Sequence, residues 1–194
     1  MYINHAGSDA NYKSFELAAT RRLADRWQFQ ASYSATKKSI PVPSGVTFDP
    51  NAEINAADNT WEWLTRLTGS YLLPWDVQLA ANFVSQSGDT WGRMLPVRGG
   101  TSIPAITLRV EPIGFRDTGT MTTLGFRAEK AFRVRAGHEL TVGANVINLL
   151  NANYIQNASQ SNAAAPGAAQ VQQLSGATFG NPNSIAFPRL GEVV

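Results

Sequence analysis

The sequence predicts an all-β fold: an antiparallel meander of about seven strands, each crossing a membrane as part of a barrel wall. Three observations predict it. From Trp27 to Ala35 the chain reads Trp-Gln-Phe-Gln-Ala-Ser-Tyr-Ser-Ala, a strict apolar/polar alternation. A strand has a side-chain period of two, so Trp27, Phe29, Ala31, Tyr33 and Ala35 share one face. Gln28, Gln30, Ser32 and Ser34 share the other, which is polar but uncharged. The pattern recurs in segments of roughly ten residues, and the links between segments alternate short and long, as barrel turns and loops do.

The elements follow in order. Tyr12 to Arg22 is the first strand, with Phe15, Leu17 and Ala19 on one face. The short link Leu23-Ala24-Asp25-Arg26 leads to the second strand, Trp27 to about Lys37, and residues 39–58, rich in Pro, Gly, Asn and Asp, read as a loop. Thr60 to Leu72 alternates as a third strand, the turn Leu73-Pro74-Trp75-Asp76 is brief, and Val77 to Gln86 is the fourth. Residues 87–119 form a long link with a further strand piece at Ile106 to Val110. Thr120 to Phe132 is the fifth strand, a short link spans Val134 to Gly137, and His138 to Ile147 is the sixth. A long Ala/Gln/Ser/Asn/Gly stretch, 152–183, precedes a short last strand within Ser184 to Val194.

With every long link outside the cell and every short one in the periplasm, all seven strands are consistent. Aromatics then gather at both strand ends: Trp27 and Tyr71 by short turns, Tyr33, Trp61 and Trp63 by a long loop. Two such girdles are what two lipid interfaces select. The first strand starts on the long-loop side and the last ends on the short-turn side. Seven strands arranged so cannot close, and the chain is expected to be one part of a larger barrel.

Composition agrees with one apolar and one neutral polar face. Charged residues make up 15 % of the 194, well below the usual quarter, while the hydrophobic share of 43 % is ordinary. A net charge of +2 without a basic run interleaved with aromatics gives no footing for nucleic acid. The absence of Cys excludes disulfides and thiolate metal sites. No stretch approaches the roughly 20 apolar residues of a membrane helix. The start, Met1 to Gly7, has neither the basic region nor the apolar core of a secretory signal.

Asn145-Val146-Ile147-Asn148-Leu149-Leu150-Asn151 resembles the Asn-Leu-Phe-Asn motif near the C-terminus of TonB-dependent outer-membrane receptors. The order of the other segments is similar to that family's carboxypeptidase-regulatory-like, Oar-type branch. Leu124 to Phe132, with Lys130 before its last residues, is similar to the family strand ending in Lys and an aromatic. Gly88 to Arg93 and Val110 to Arg116 are similar to family loop patterns, and Pro188-Arg189-Leu190-Gly191 resembles the Pro-Arg that introduces the last strand. The resemblance covers nearly the whole chain and implies a partial receptor-barrel domain over 1–194, seated in the cell outer membrane. It implies a non-enzymatic role without cofactor: active uptake of a scarce, bulky solute. The expected partners are outer-membrane lipid, the N-terminal barrel strands and plug of the parent receptor, and the TonB complex through that plug. Neither a plug domain nor a TonB-box segment is read here, and Gly191 to Val194 stops short of the family's aromatic-ended strand.

No catalytic, cofactor-binding or metal residue emerges. His5 and His138 lack a ligand-spaced partner, and no nucleophile-elbow, zinc or phosphate-loop spacing occurs. Glu16 and Glu62 fall on the polar face, where balancing Arg66 or Arg127 is a commoner role than acid/base catalysis. Glu129 and Lys130, being adjacent, point to opposite faces, which makes Lys130 an interfacial snorkelling residue. Asn148 and Asn151 flank a strand end, where Asn more often bonds its own backbone than a ligand. Trp61 and Trp63 fit a girdle better than a sugar platform. Asn157-Ala158-Ser159 matches a glycosylation sequon of almost no weight in a bacterial protein, and 157–173 reads as a surface loop. The alternatives are a passive porin or small adhesin-type barrel, and a soluble carbohydrate-binding β-sandwich. The sandwich would carry more Lys and Glu on its outer faces than Gln28, Gln30 and Ser32 supply.

Overall fold

Alternation at period two is built into the chain, and in the computed structural model it becomes one sheet. The structure describes residues 9–41, 54–99, 103–134, 138–158 and 180–193. In chain order the strands are β1 (Asn11–Ala24), β2 (Trp27–Ser39), β3 (Trp61–Leu73), β4 (Val77–Gln86), β5 (Thr90–Trp91), β6 (Met94–Gly99) and β7 (Ile103–Arg109). They continue with β8 (Arg116–Asp117), β9 (Met121–Val134), β10 (His138–Ile147), β11 (Ile155–Ala158), β12 (Pro182–Ile185) and β13 (Leu190–Val193). Seven of them form an antiparallel sheet in the order β1-β2-β3-β4-β9-β10-β13. The described residues contain no helix, and none long and apolar enough to cross a membrane.

The seven expected strands are those of this sheet, with β4 and β10 ending where the alternation ends. Three expectations are corrected. The 87–119 link is not simply a loop: β5 pairs with β8, and inside that pair β6 and β7 form a hairpin that includes the expected piece at Ile106. The last segment is two strands, because the Phe187-Pro188 step interrupts it and proline has no N–H for a ladder. Its first part pairs with β11 and its second with β10. The 152–183 stretch is not all loop, since β11 lies within it, while His138 begins β10 opposite Val134. His5, residues 135–137, Ser159 and nearly all of the 157–173 loop lie outside the described residues, as does the side chain of Asn157.

Two short links are tight. Ala24 faces Trp27 across Asp25 and Arg26, both at positive φ (50° and 72°), the conformation of the hairpin turn that matches strand twist. One extra residue of β1 between Arg21 and Ala24 makes a bulge beside it. Trp75 and Asp76 take positive φ in the second link, after Pro74.

The sheet is a single layer. Among the described apolar residues only Ala56, Trp91, Ala158 and Ala186 are buried, and all four lie off the seven-stranded sheet. Its own large apolar side chains stay exposed: Phe15 at 59 %, Leu17 at 61 %, Leu140 at 56 %. Among the described residues nothing covers this apolar face, and that is the fact the function has to explain.

Candidate functional site

The register joins the strand patterns into two continuous faces. Rows of directly opposed residues run across the sheet: Trp27–Tyr71–Leu79–Ala128–Ala144, then Phe29–Gly69–Ala81–Phe126–Val146, then Ala19–Ala31–Leu67–Phe83–Leu124. Every residue so named is apolar, and the second row ends on β1 at Arg21, opposite Phe29. The next row, Leu17–Tyr33–Thr65–Ser85–Thr122, brings hydroxyls in, and Ser85 and Thr122 satisfy one another across 2.9 Å.

Charges on this face are confined to its margins, and all are basic. Lys13 and Lys37 face each other at the long-link end. Arg21 and Lys130 lie toward the short-link end. The Arg21 guanidinium sits 4.0 Å from the Trp27 ring and 2.9 Å from Asp25 in the turn. Lys130, opposite Val77 and Val142, holds its Nζ 5.2 Å from the Phe132 ring. It thus occupies the apolar face, opposite in sense to Glu129, as the alternation requires.

Four of the five aromatics expected near strand ends lie there. Trp27 and Tyr71 are directly opposed at the short-link end, with Phe29 stacked on Trp27 at 5.6 Å. Trp61 and Trp63 stand at the long-link end, Trp61 beside Lys37; Tyr33, beside Phe15, lies at the middle of β2 opposite Thr65, not at the strand end expected of it. Trp61 and Tyr71 are ten residues apart. That is ~34 Å of strand, or ~25 Å of height at a tilt near 40–45°, the height of a barrel's apolar band.

The opposite face carries neutral polar pairs: Ser14 with Thr36 (2.9 Å) and Gln28 with Ser70 (3.0 Å). Its charges are paired, though not as the sequence suggested. Glu62 binds Lys38, not Arg66, and Arg127 binds Glu129 rather than Glu16 or Glu62. Glu16 lies on β1 and Glu62 on β3 with β2 between, so they are ~10 Å or more apart and cannot share a proton. Among the described residues no group of three metal-ligating side chains comes together.

The Asn motif is a clasp. Asn148, 4 % exposed and at φ 54°, accepts from the Ala152 N–H (2.9 Å) and donates to the carbonyls of Ala152 (3.0 Å) and Phe187 (3.1 Å). Asn151, at φ 51°, accepts from the Arg189 N–H at 3.1 Å. The expected bond to local backbone is present for Asn148, and both Asn148 and Asn151 reach the segment around Pro188 that leads into β13. Asn145 sits on the polar face, opposite Arg127 and Glu192.

A second cluster, at the long-link end, was quoted in sequence only as loop patterns. The Arg116 guanidinium binds Glu111 through two bonds of 2.7 and 2.8 Å, and the Arg93 N–H donates to the same carboxylate at 3.0 Å. The Arg116 bond holds the Glu111 carboxyl below its ordinary pKa against the opposing effect of burial, with Arg93 adding to the lowering. Gly114, at φ 89°, closes this turn, and a Cβ there would come within 2.5 Å of Thr60. A Cβ on Gly92 would meet the Glu111 carbonyl at 2.5 Å. An opposed pair five residues apart around a glycine was the available signal. Beside the cluster, a recess of about 420 Å³ opens among Asp58, Glu62, Asp89, Trp91 and Gln156.

Compared with family models, curated proteins and solved structures, the chain gives no match to any of the three.

Proposed function

We propose that this chain is a wall segment of an outer-membrane barrel, the C-terminal portion of a TonB-dependent receptor that takes up a bulky solute. One observation carries the reading: seven strands share an apolar face with no layer over it and with charge only at its margins. In water such a face is a liability, whereas in lipid it is a solvated surface. The neutral polar face suits a wet lumen, and the recess beside Asp58 and Asp89 suits capture of a polar solute at the mouth. A soluble sandwich is disfavoured because a second sheet over the apolar face would be its core.

Topology tests it. A tag within residues 163–170 should be labelled on intact cells expressing the protein. A tag at Asp25 or Asp76 should be reached only after the outer membrane is permeabilised. Labelling of Asp76 on intact cells without labelling of 163–170 inverts the arrangement and overturns the reading. A signal sequence just upstream of Met1 in the gene, in place of plug and barrel, would favour the passive porin instead.

A further inference from the structure

The apolar face is not evenly filled. Gly69 and Ala81 are directly opposed on β3 and β4, so two adjacent positions near the sheet centre carry almost no side chain. Around them rise Phe29, Tyr71, Leu79 and Phe126, and the result is an apolar dent of about 580 Å³. Its volume falls within the range of small-molecule sites, and its lining is side chains that offer an occupant almost nothing but dispersion.

The dent lies in the short-link half of the sheet. Successive rows are about 7 Å apart, so the three rows it occupies span ~14 Å of strand, within the depth of one leaflet of a ~30 Å hydrocarbon core. Toward the margin, one row beyond Leu79 and one strand across, stands Lys130. No described carboxylate pairs with it, and its Nζ rests over Phe132. The Tyr71 and Trp27 rings mark the same level. Lys130 is therefore a cation one row outside the dent's rim at Leu79, not part of its lining, on a face whose described charges are all basic.

We propose that this dent seats one acyl chain of a glycerophospholipid of the short-link leaflet, with the lipid phosphate against Lys130. The proposal rests on the membrane reading above and adds a specific lipid to it. Chain and phosphate are both needed. The apolar dent recognises length without polarity, and the ammonium beyond its rim recognises the anionic junction between tails and headgroup.

The full chain would be refolded into vesicles of phosphatidylethanolamine and phosphatidylglycerol, floated, extracted into mild detergent and weighed by native mass spectrometry. One phospholipid should remain bound per chain. Ala81→Leu fills the floor and should weaken retention about tenfold, the change expected from displacing roughly two buried methylenes. Ala144→Leu, on the same face but outside the dent, should retain the lipid. The unaltered chain should hold phosphatidylglycerol in preference to diacylglycerol, which has the tails without the phosphate, and Lys130→Gln should erase that preference. This comparison stands even where Ala81→Leu does not refold. Equal retention by Ala81→Leu and the unaltered chain overturns the site, as does equal retention of diacylglycerol and phosphatidylglycerol. A chain that does not float with vesicles overturns the membrane reading and the site together.

Discussion

Ala31 and Ser32 are neighbours in sequence and belong to opposite worlds. Ala31 lies mid-face in an all-apolar row, and Ser32 opposes Ala18 and Arg66 on the polar side. If the apolar face meets lipid as proposed, a guanidinium at Ala31 must be drawn out of hydrocarbon, whereas at Ser32 it meets water. Ala31→Arg should cost about 2–4 kcal/mol in reversible unfolding from vesicles, and Ser32→Arg close to nothing. Equal penalties would remove the assignment of faces. This contrast was legible in the sequence because period two needs only the strand. The pairing of Glu62 with Lys38 was not, because partners across a sheet depend on register, which alternation alone leaves open.

At the scale of the element, the Asn148–Asn151 clasp and the Glu111–Arg116 turn each hold a segment that has little ladder of its own. β13 pairs with β10 over four residues, and Asn148 and Asn151 tie down the chain that enters it. Asn148→Gly keeps the positive φ but removes the three part-buried bonds to Ala152 and Phe187, a loss of about 1–3 kcal/mol. Amide exchange should quicken across β13 and leave β2 and β3 unchanged; uniform quickening would mean that the clasp is not local. At the turn, the folded Glu111 carboxyl has a depressed pKa, led by the Arg116 bond. A depressed folded value stabilises above the unfolded pKa and is lost as pH falls through the folded one. Acidification should therefore release the 88–118 region before the main sheet, read by Trp91 fluorescence, and Glu111→Gln should remove the acid-dependent step. An acid transition unchanged in that variant would place the trigger elsewhere. The Asn motif was visible as text but not as a clasp, since its partner carbonyl is 39 residues away. β6 and the start of β7 escaped notice because Pro96, Gly99, Gly100 and Pro104 break the alternation.

For the whole molecule the decisive quantity is unpaired surface. β1 leaves one side of its 14 residues without a strand partner, and β13 covers only Ala144 to Ile147 of β10. Open edges and an uncovered apolar face together favour self-association in water. Expressed without lipid, the chain should be insoluble or degraded. A monodisperse folded monomer in buffer, by sedimentation velocity, would sink the barrel-wall reading. The strand order was legible because each strand of the sheet pairs with the next such strand in sequence. The single layer was not, because a half-apolar strand reads alike under lipid and under a second sheet.

The paired strands inside the 87–120 link also bear on how fast the sheet assembles. Thr90 and Trp91 face Asp117 and Arg116, and the Thr118 N–H donates to the Asp89 carbonyl at 3.1 Å. The link is thus a stalk zipped from its base, and docking β9 on β4 requires closing only residues 87–89 and 118–120. Each doubling of a flexible loop adds about 0.6 kcal/mol of closure entropy, so the stalk spares the docking step roughly 1.5 kcal/mol. Residues inserted at its far tip, between Gly99 and Ile103, would then lengthen the chain while leaving the rate of β4–β9 pairing almost where it was.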